Sequence, residues 1–220
     1  MLAQDLLTNT IVPLKKDDSA VLALSLMEEY KTTHLPIVQS GVYLGLISEA
    51  DIYAYNQFEE TIGAHPLTQT PLFIYHYQHI YDVIEKIHEN KLSVVPVIDE
   101  KKHYLGSITT SELLLKWADI SGINNPGGII VLEMNIHDYS LSEIAQIVES
   151  NNKKIINSFV NSFYNSTKIE VTIKLNSTEI DDVLQTLNRY NYQVQASYTE
   201  SDLNDNLSDR YDSLMNYLDI

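Results

Sequence analysis

The sequence predicts an α/β (α+β) protein in two regions, and three observations lead there. The first half repeats itself at an offset of 60–61 residues. A breaker-rich stretch follows, from Asp119 to Gly128. Beyond it, the apolar periodicities run in the order βαββαβ, the ferredoxin-like arrangement.

The repeat is read from two pairs of segments. His34-Leu35-Pro36-Ile37-Val38 matches Val94-Val95-Pro96-Val97-Ile98, with Pro36 and Pro96 separated by 60. Gly45-Leu46-Ile47-Ser48-Glu49-Ala50-Asp51 matches Gly106-Ser107-Ile108-Thr109-Thr110-Ser111-Glu112 at 61, so one residue is inserted near Lys101-Lys102. The upstream stripes agree. Ala20, Ala23, Leu24 and Met27 have the spacing of one helical face, and so do Ile80, Val83, Ile84 and Ile87. Asp18 and Ser19 supply N-cap chemistry for the first helix. Each copy reads as strand, helix, strand, turn, strand, helix. A unit this small leaves an apolar face open, so the two copies should pack together.

Ser121-Gly122, Asn124-Asn125-Pro126 and Gly127-Gly128 give the linker its turn chemistry. Ile129 to Met134 reads as a strand. Leu141, Ile144, Ala145 and Val148 mark a helix, with Ser140 and Glu143 as a capping box. Ile155 to Phe163 is the next strand. Ile169, Val171, Ile173 and Leu175 alternate with polar residues, as in a half-buried antiparallel strand. Ile180, Val183, Leu184 and Leu187 give the second helix, and Tyr192 to Tyr198 the last strand. The tail, 199–220, starts acidic and ends in a helical stripe of Tyr211, Leu214, Met215 and Leu218.

Composition narrows the function. The 220 residues carry a net charge of −16 and only two arginines, Arg189 and Arg210, so nucleic acid would be repelled. There is no cysteine, hence no disulfide, thiolate metal site or thiol nucleophile, and a cytoplasmic setting is expected. No apolar run reaches a membrane-spanning length, and Met1 to Thr10 lacks the pattern of a signal peptide. His76, His79 and His88 lack a companion set of ligands, so no metal is expected. No glycine-rich phosphate loop, nucleophile elbow or His-Glu-x-x-His motif is present, and neighbouring acids such as Glu28-Glu29 read as solvated helix positions. The chain is not expected to be an enzyme.

The Leu-Pro-Ile-Val and Val-Pro-Val-Ile strands and the following Ser/Thr-x-x-Asp/Glu motifs, in two registered copies, resemble the cystathionine-β-synthase-type (CBS) domain. The resemblance covers residues 1–118, with repeats at about 7–57 and 67–118. It implies a tandem pair, or Bateman module, that binds an adenosine-containing ligand of the AMP, ADP, ATP or S-adenosylmethionine type. Carried over by motif position, Asp51 would accept ribose hydroxyls and Ser48 would contact ribose or phosphate. Thr10 to Val12 with Ile37 would line the base slot, and Thr109 with Glu112 would form a weaker second site. The same residues also read as capping boxes, equally so for Ser48 and Asp51 and first of all for Thr109 and Glu112.

Residues 129–198 resemble an ACT domain, a family that binds small ligands at paired-domain interfaces. Its ligand loop usually holds a glycine, where this chain has Asp138-Tyr139-Ser140-Leu141, so tight amino-acid binding is not expected. Together these resemblances imply a regulatory or sensor module without catalysis, forming a homodimer and acting on a protein partner. The rival reading is a scaffold or assembly protein with vestigial clefts.

Overall fold

The computed structural model describes residues 1–8, 10–65 and 72–199. The expected tail helix on Tyr211, Leu214, Met215 and Leu218 lies outside them. The chain divides into two compact units, Met1–Trp117 and Ala118–Ile220.

The first unit contains both repeats. Repeat one holds α1 (Ala20–Tyr30), β1 (His34–Gln39), β2 (Val42–Ser48) and α2 (Glu49–Tyr55). Repeat two holds β3 (Ile74–Tyr75), α3 (Ile80–Asn90), β4 (Val94–Ile98), β5 (Tyr104–Thr109) and α4 (Thr110–Ile120). The predicted leading strand of repeat one shrinks to a single bridge residue, Leu14, parallel to Ile37. The β1–β2 hairpin turns through Ser40 and Gly41, both at positive φ. A two-residue loop needs that geometry to match the strand twist.

Ser19 caps α1 by accepting from the Leu22 amide at 3.2 Å. Asp18, expected to share that role, instead closes the preceding turn on the Lys15 amide. The α1 stripe is buried at Ala20, Ala23 and Met27, and α3 buries Ile80 and Val83. His79 caps α3 through its ring nitrogen, while Asp82 accepts from the His79 amide.

The two repeats are joined by hydrogen bonds that repeat about a pseudo-two-fold axis. The Tyr43 amide donates to Lys102 O and the Tyr104 amide to Gly41 O, each at 2.9 Å. The leading segments are exchanged as well. Ile80 N bonds to Met1 O of the first leading segment, and Ala20 N bonds to Glu60 O ahead of the second repeat. Near the axis, the Thr33 amide donates to Ser93 Oγ at 2.9 Å, pairing positions that differ by 60. The expected packing of one copy on the other is therefore present.

The second unit is a four-stranded sheet of β6 (Ile129–Asn135), β7 (Ile155–Ser162), β8 (Lys168–Leu175) and β9 (Gln193–Tyr198), in the order β7-β8-β6-β9 and antiparallel throughout. With α5 (Leu141–Ser150) and α6 (Asp181–Arg189) it gives the βαββαβ order read from the sequence. Ile169, Val171, Ile173 and Leu175 of β8 face a core shared with Ile144, Val148, Val183 and Leu187 of the helices.

Two local expectations change. α4 runs to Ile120, two residues into the expected linker, because its helical pattern meets no breaker before Gly122. Ser140 does cap α5, accepting from the Glu143 amide. Glu143 does not complete the box: its carboxylate takes the Tyr192 hydroxyl at 3.2 Å.

Candidate ligand clefts of the repeat pair

The exchange of leading segments decides which motif residues meet. The Thr8 amide bonds to Ser107 O at 2.9 Å, drawing the first leading segment across β5 of the second repeat. Gly106 permits this: a Cβ there would stand 3.0 Å from Leu7 Cδ2, and its φ of +150° disfavours a side chain. Thr10 thus arrives beside the start of α4, 102 positions away in sequence from Glu112.

Glu112 gathers threonine hydroxyls. Thr10 Oγ1 donates to Oε1 at 3.1 Å and Thr109 Oγ1 to Oε2 at 2.8 Å. Thr109 Oγ1 in turn accepts from the Glu112 amide at 3.1 Å, capping α4. Thr8 and Thr10 are hydrogen-bonded to each other through their hydroxyls. Burial pushes the Glu112 carboxyl upward, but the hydroxyls of Thr8, Thr109 and Thr10 outweigh it and hold the group below its ordinary value. A cleft of about 590 Å³ opens here, lined by Thr10, Ile11, Thr109 and Glu112 on one side and Lys31 and Lys91 among the others.

Asp51 sits in a smaller cleft of about 250 Å³, with Ser48, His34, Asn90 and Leu72. Its Oδ2 accepts from the Ser48 amide at 2.9 Å and the Ser48 hydroxyl at 2.6 Å, and its own amide donates to Ser48 Oγ at 3.0 Å. That is a complete capping box. Tyr43 anchors the cleft residue Leu72, its hydroxyl donating to Leu72 O at 2.9 Å. His34 links this cleft to the repeat interface, with Nδ1 at 3.1 Å from Ser93 Oγ and 3.0 Å from Thr33 Oγ1. Burial lowers the His34 pKa, and the charge of Asp51 partly offsets that.

The structure therefore regroups the predicted site residues. Ser48 and Asp51 stay together, as do Thr109 and Glu112. Thr10, expected beside Asp51, stands beside Glu112, because each leading segment crosses to the other repeat. Leu72 takes the corresponding place near Asp51. Ile37 lines neither cleft: it is fully buried in the core of repeat one, where its backbone pairs with Gly45 and Leu14. Val12 is exposed and does not line the larger cleft.

Sequence reasoning missed Thr8, Lys31, Thr32, His34, Ser93 and Lys91. One signal was available for part of this set, since Lys31 and Lys91 obey the 60-residue offset and each follows a helix. Among the described residues, no group of three histidines or acids is placed to hold a metal ion. Nor is any helix long and apolar enough to cross a membrane.

The first unit matches a known family twice. Residues 3–56 and 65–119 each match the CBS domain family. Homoserine O-acetyltransferases of Methanosphaera stadtmanae and Methanococcoides burtonii match at 29% and 24% identity over 111 and 110 residues. These matches cover 50% of this chain but 23% and 22% of the relatives, so the chain spans less than a quarter of the length of the curated relatives it matches. Among solved structures, a CBS domain pair/ACT domain protein from Thermotoga maritima aligns at 15% identity and a TM-score of 0.49, over 54% of this chain and 98% of that one. A CBS-pair protein from Arabidopsis thaliana aligns at 21% identity and 0.47, over 54% and 95%. With two matched copies in register, joined by pseudo-symmetric hydrogen bonds, this chain belongs to the CBS domain family as a tandem CBS pair.

Proposed function

We propose that the protein is a non-catalytic regulatory or sensor module that binds an adenosine-containing ligand through its CBS pair. The observation that carries this reading is the larger cleft, where Glu112 and Thr109 meet the leading segment at Thr10 and Ile11. Its volume, about 590 Å³, falls in the range of roughly 300–1,000 Å³ usual for small-molecule sites. A carboxylate that already accepts hydroxyls has the chemistry to accept those of a ribose. The Asp51 cleft, at about 250 Å³, falls below that range. Size thus favours the Glu112 cleft as the first to fill, the reverse of the order expected from the motifs alone.

The mechanism is a population shift. A ribose on Glu112 would compete with Thr8 and Thr10, loosening the tether between the leading segment and α4. The βαββαβ unit, read as ACT-like, or a protein partner would sense that change. The O-acetyltransferase relatives do not bring their activity here, since less than a quarter of their length is matched. Fifteen tyrosines supply aromatic surface suited to a homodimer interface, and a cytoplasmic setting fits the absence of cysteine.

One observation favours a scaffold with vestigial clefts: the acids of both motifs already have hydroxyl partners within the protein. A thermal-shift screen of AMP, ADP, ATP, adenosine and S-adenosylmethionine separates the readings. A saturable rise in midpoint with any of them supports the sensor; no response at millimolar concentration supports the scaffold. Light scattering after gel filtration tests the dimer, and a monomer mass at micromolar concentration would overturn it.

A further inference from the structure

We infer that the tail, 200–220, folds back as a short helix on the open face of the four-stranded sheet and covers it. Helices α5 and α6 lie on the other side, where they share a core with the inward residues of β6 and β8. An antiparallel sheet with one solvated face normally sets polar residues on that face. β8 obeys, with Lys168, Glu170, Thr172 and Lys174 turned outward. Its neighbours do not. The strand register places Phe159, Thr172, Val131 and Ala196 in one row, one residue from each strand. Ile129 and Tyr198 are paired in the next row. Residues directly opposite share a face, so the apolar side chains of both rows stand on the outer side. Phe159 and Tyr198 are 52% and 58% exposed. The linker borders this face at one end only: Asn157 donates to Ser121 O at 2.7 Å and Lys174 to Ile123 O at 2.9 Å.

The tail fits this face by origin, length and pattern. It leaves from the corner of the face, since β9 ends at Tyr198. Its apolar stripe, Tyr211 to Leu218, spans about 10 Å as a helix. The row it would cover is about 14 Å wide, three strand spacings. Residues 199–210, which connect the two, reach up to about 40 Å when extended. A helix this short is marginal in water alone and needs a surface to hold it. Asp209, Asp212 and Asp219 fall off the stripe and would stay in water. Charge disfavours a second copy as the occupant. The tail carries six acids against one arginine, in a chain of net charge −16, so two copies meeting here would bring two such tails together.

The chain has no cysteine, so a pair of introduced cysteines reports the contact directly. Full-length protein carrying Thr172→Cys and Met215→Cys is oxidised at micromolar concentration, and the products are resolved by non-reducing electrophoresis and mass spectrometry. The control joins Met215→Cys to Gln146→Cys, at an exposed position of α5 on the helical side. Docking raises the local concentration, so the intrachain disulfide should form roughly tenfold faster, or more, in the Thr172 pair. Adding Leu214→Asp and Leu218→Asp should remove that advantage. Should Thr172→Cys impair folding, Phe159→Cys at the exposed end of the same row replaces it. Equal rates in the two pairs, or an advantage that survives Leu214→Asp/Leu218→Asp, would overturn the tail as occupant. A disulfide between two copies in place of the intrachain one would overturn it as well, and would give the face to a second copy.

Discussion

The tether between Thr10 and Glu112 should be measurable as a coupling energy. Glu112→Ala removes the acceptor of the Thr10 bond at 3.1 Å and of the Thr109 bond at 2.8 Å. Loss of the helix-start interaction costs about 1 kcal/mol. The bond to Thr10 crosses between a leading segment and the other repeat, and is solvent-exposed. Its contribution should be about 0.5–1.5 kcal/mol, the range for an ordinary hydrogen bond rather than a buried charged one. Glu112→Ala should therefore lower the stability of the first unit by roughly 1.5–2.5 kcal/mol. Asp51→Ala, which breaks the carboxylate's bonds to the Ser48 amide and hydroxyl, should cost about 1 kcal/mol. The assay is chemical denaturation of wild type, Thr10→Val, Glu112→Ala and the double variant. A double-mutant cycle should give a coupling of about 0.5 kcal/mol or more, since the two residues are in contact. A coupling of zero, or a Glu112→Ala cost no larger than that of Asp51→Ala, would refute the tether.

Two further outcomes follow from the geometry. His34 titrates below the ordinary 6.5 in the folded state, so the unfolded chain binds more protons just beneath that pH. Its contribution to stability is present above 6.5 and is lost as the pH falls toward the lowered folded value. His34→Asn should flatten the slope of melting temperature against pH in that window, and an unchanged slope would show that His34 is not the linked group. Gly127→Ala should destabilise the second unit, because a Cβ there would lie 1.8 Å from Leu175 O. Overpacking of this kind costs about 1–3 kcal/mol, and a denaturation midpoint equal to wild type would show that the linker yields freely.

The elements and their partition were legible in local patterning. The 60-residue offset fixed both repeats, because matched helical stripes and Pro-containing strands can only bury their apolar faces in the same way twice. The alternation along Ile169–Leu175 fixed the inner face of β8, because successive side chains in a strand point to opposite sides. Local patterning also located both acid-bearing motifs, since a hydroxyl three residues before a carboxylate is a local signal at a helix start. Which segments face each motif is set by long-range packing. Local periodicity carries no record of a chain crossing from one repeat to the other, so it grouped Thr10 with Asp51, 41 residues away, and not with Glu112, 102 residues away. The same blindness hid Ile37 in the core and gave no weight to Lys31 and Lys91. Only the packing of one repeat on the other brings those lysines to a single cleft, because it is the pseudo-two-fold axis, and not the sequence between them, that sets their neighbours.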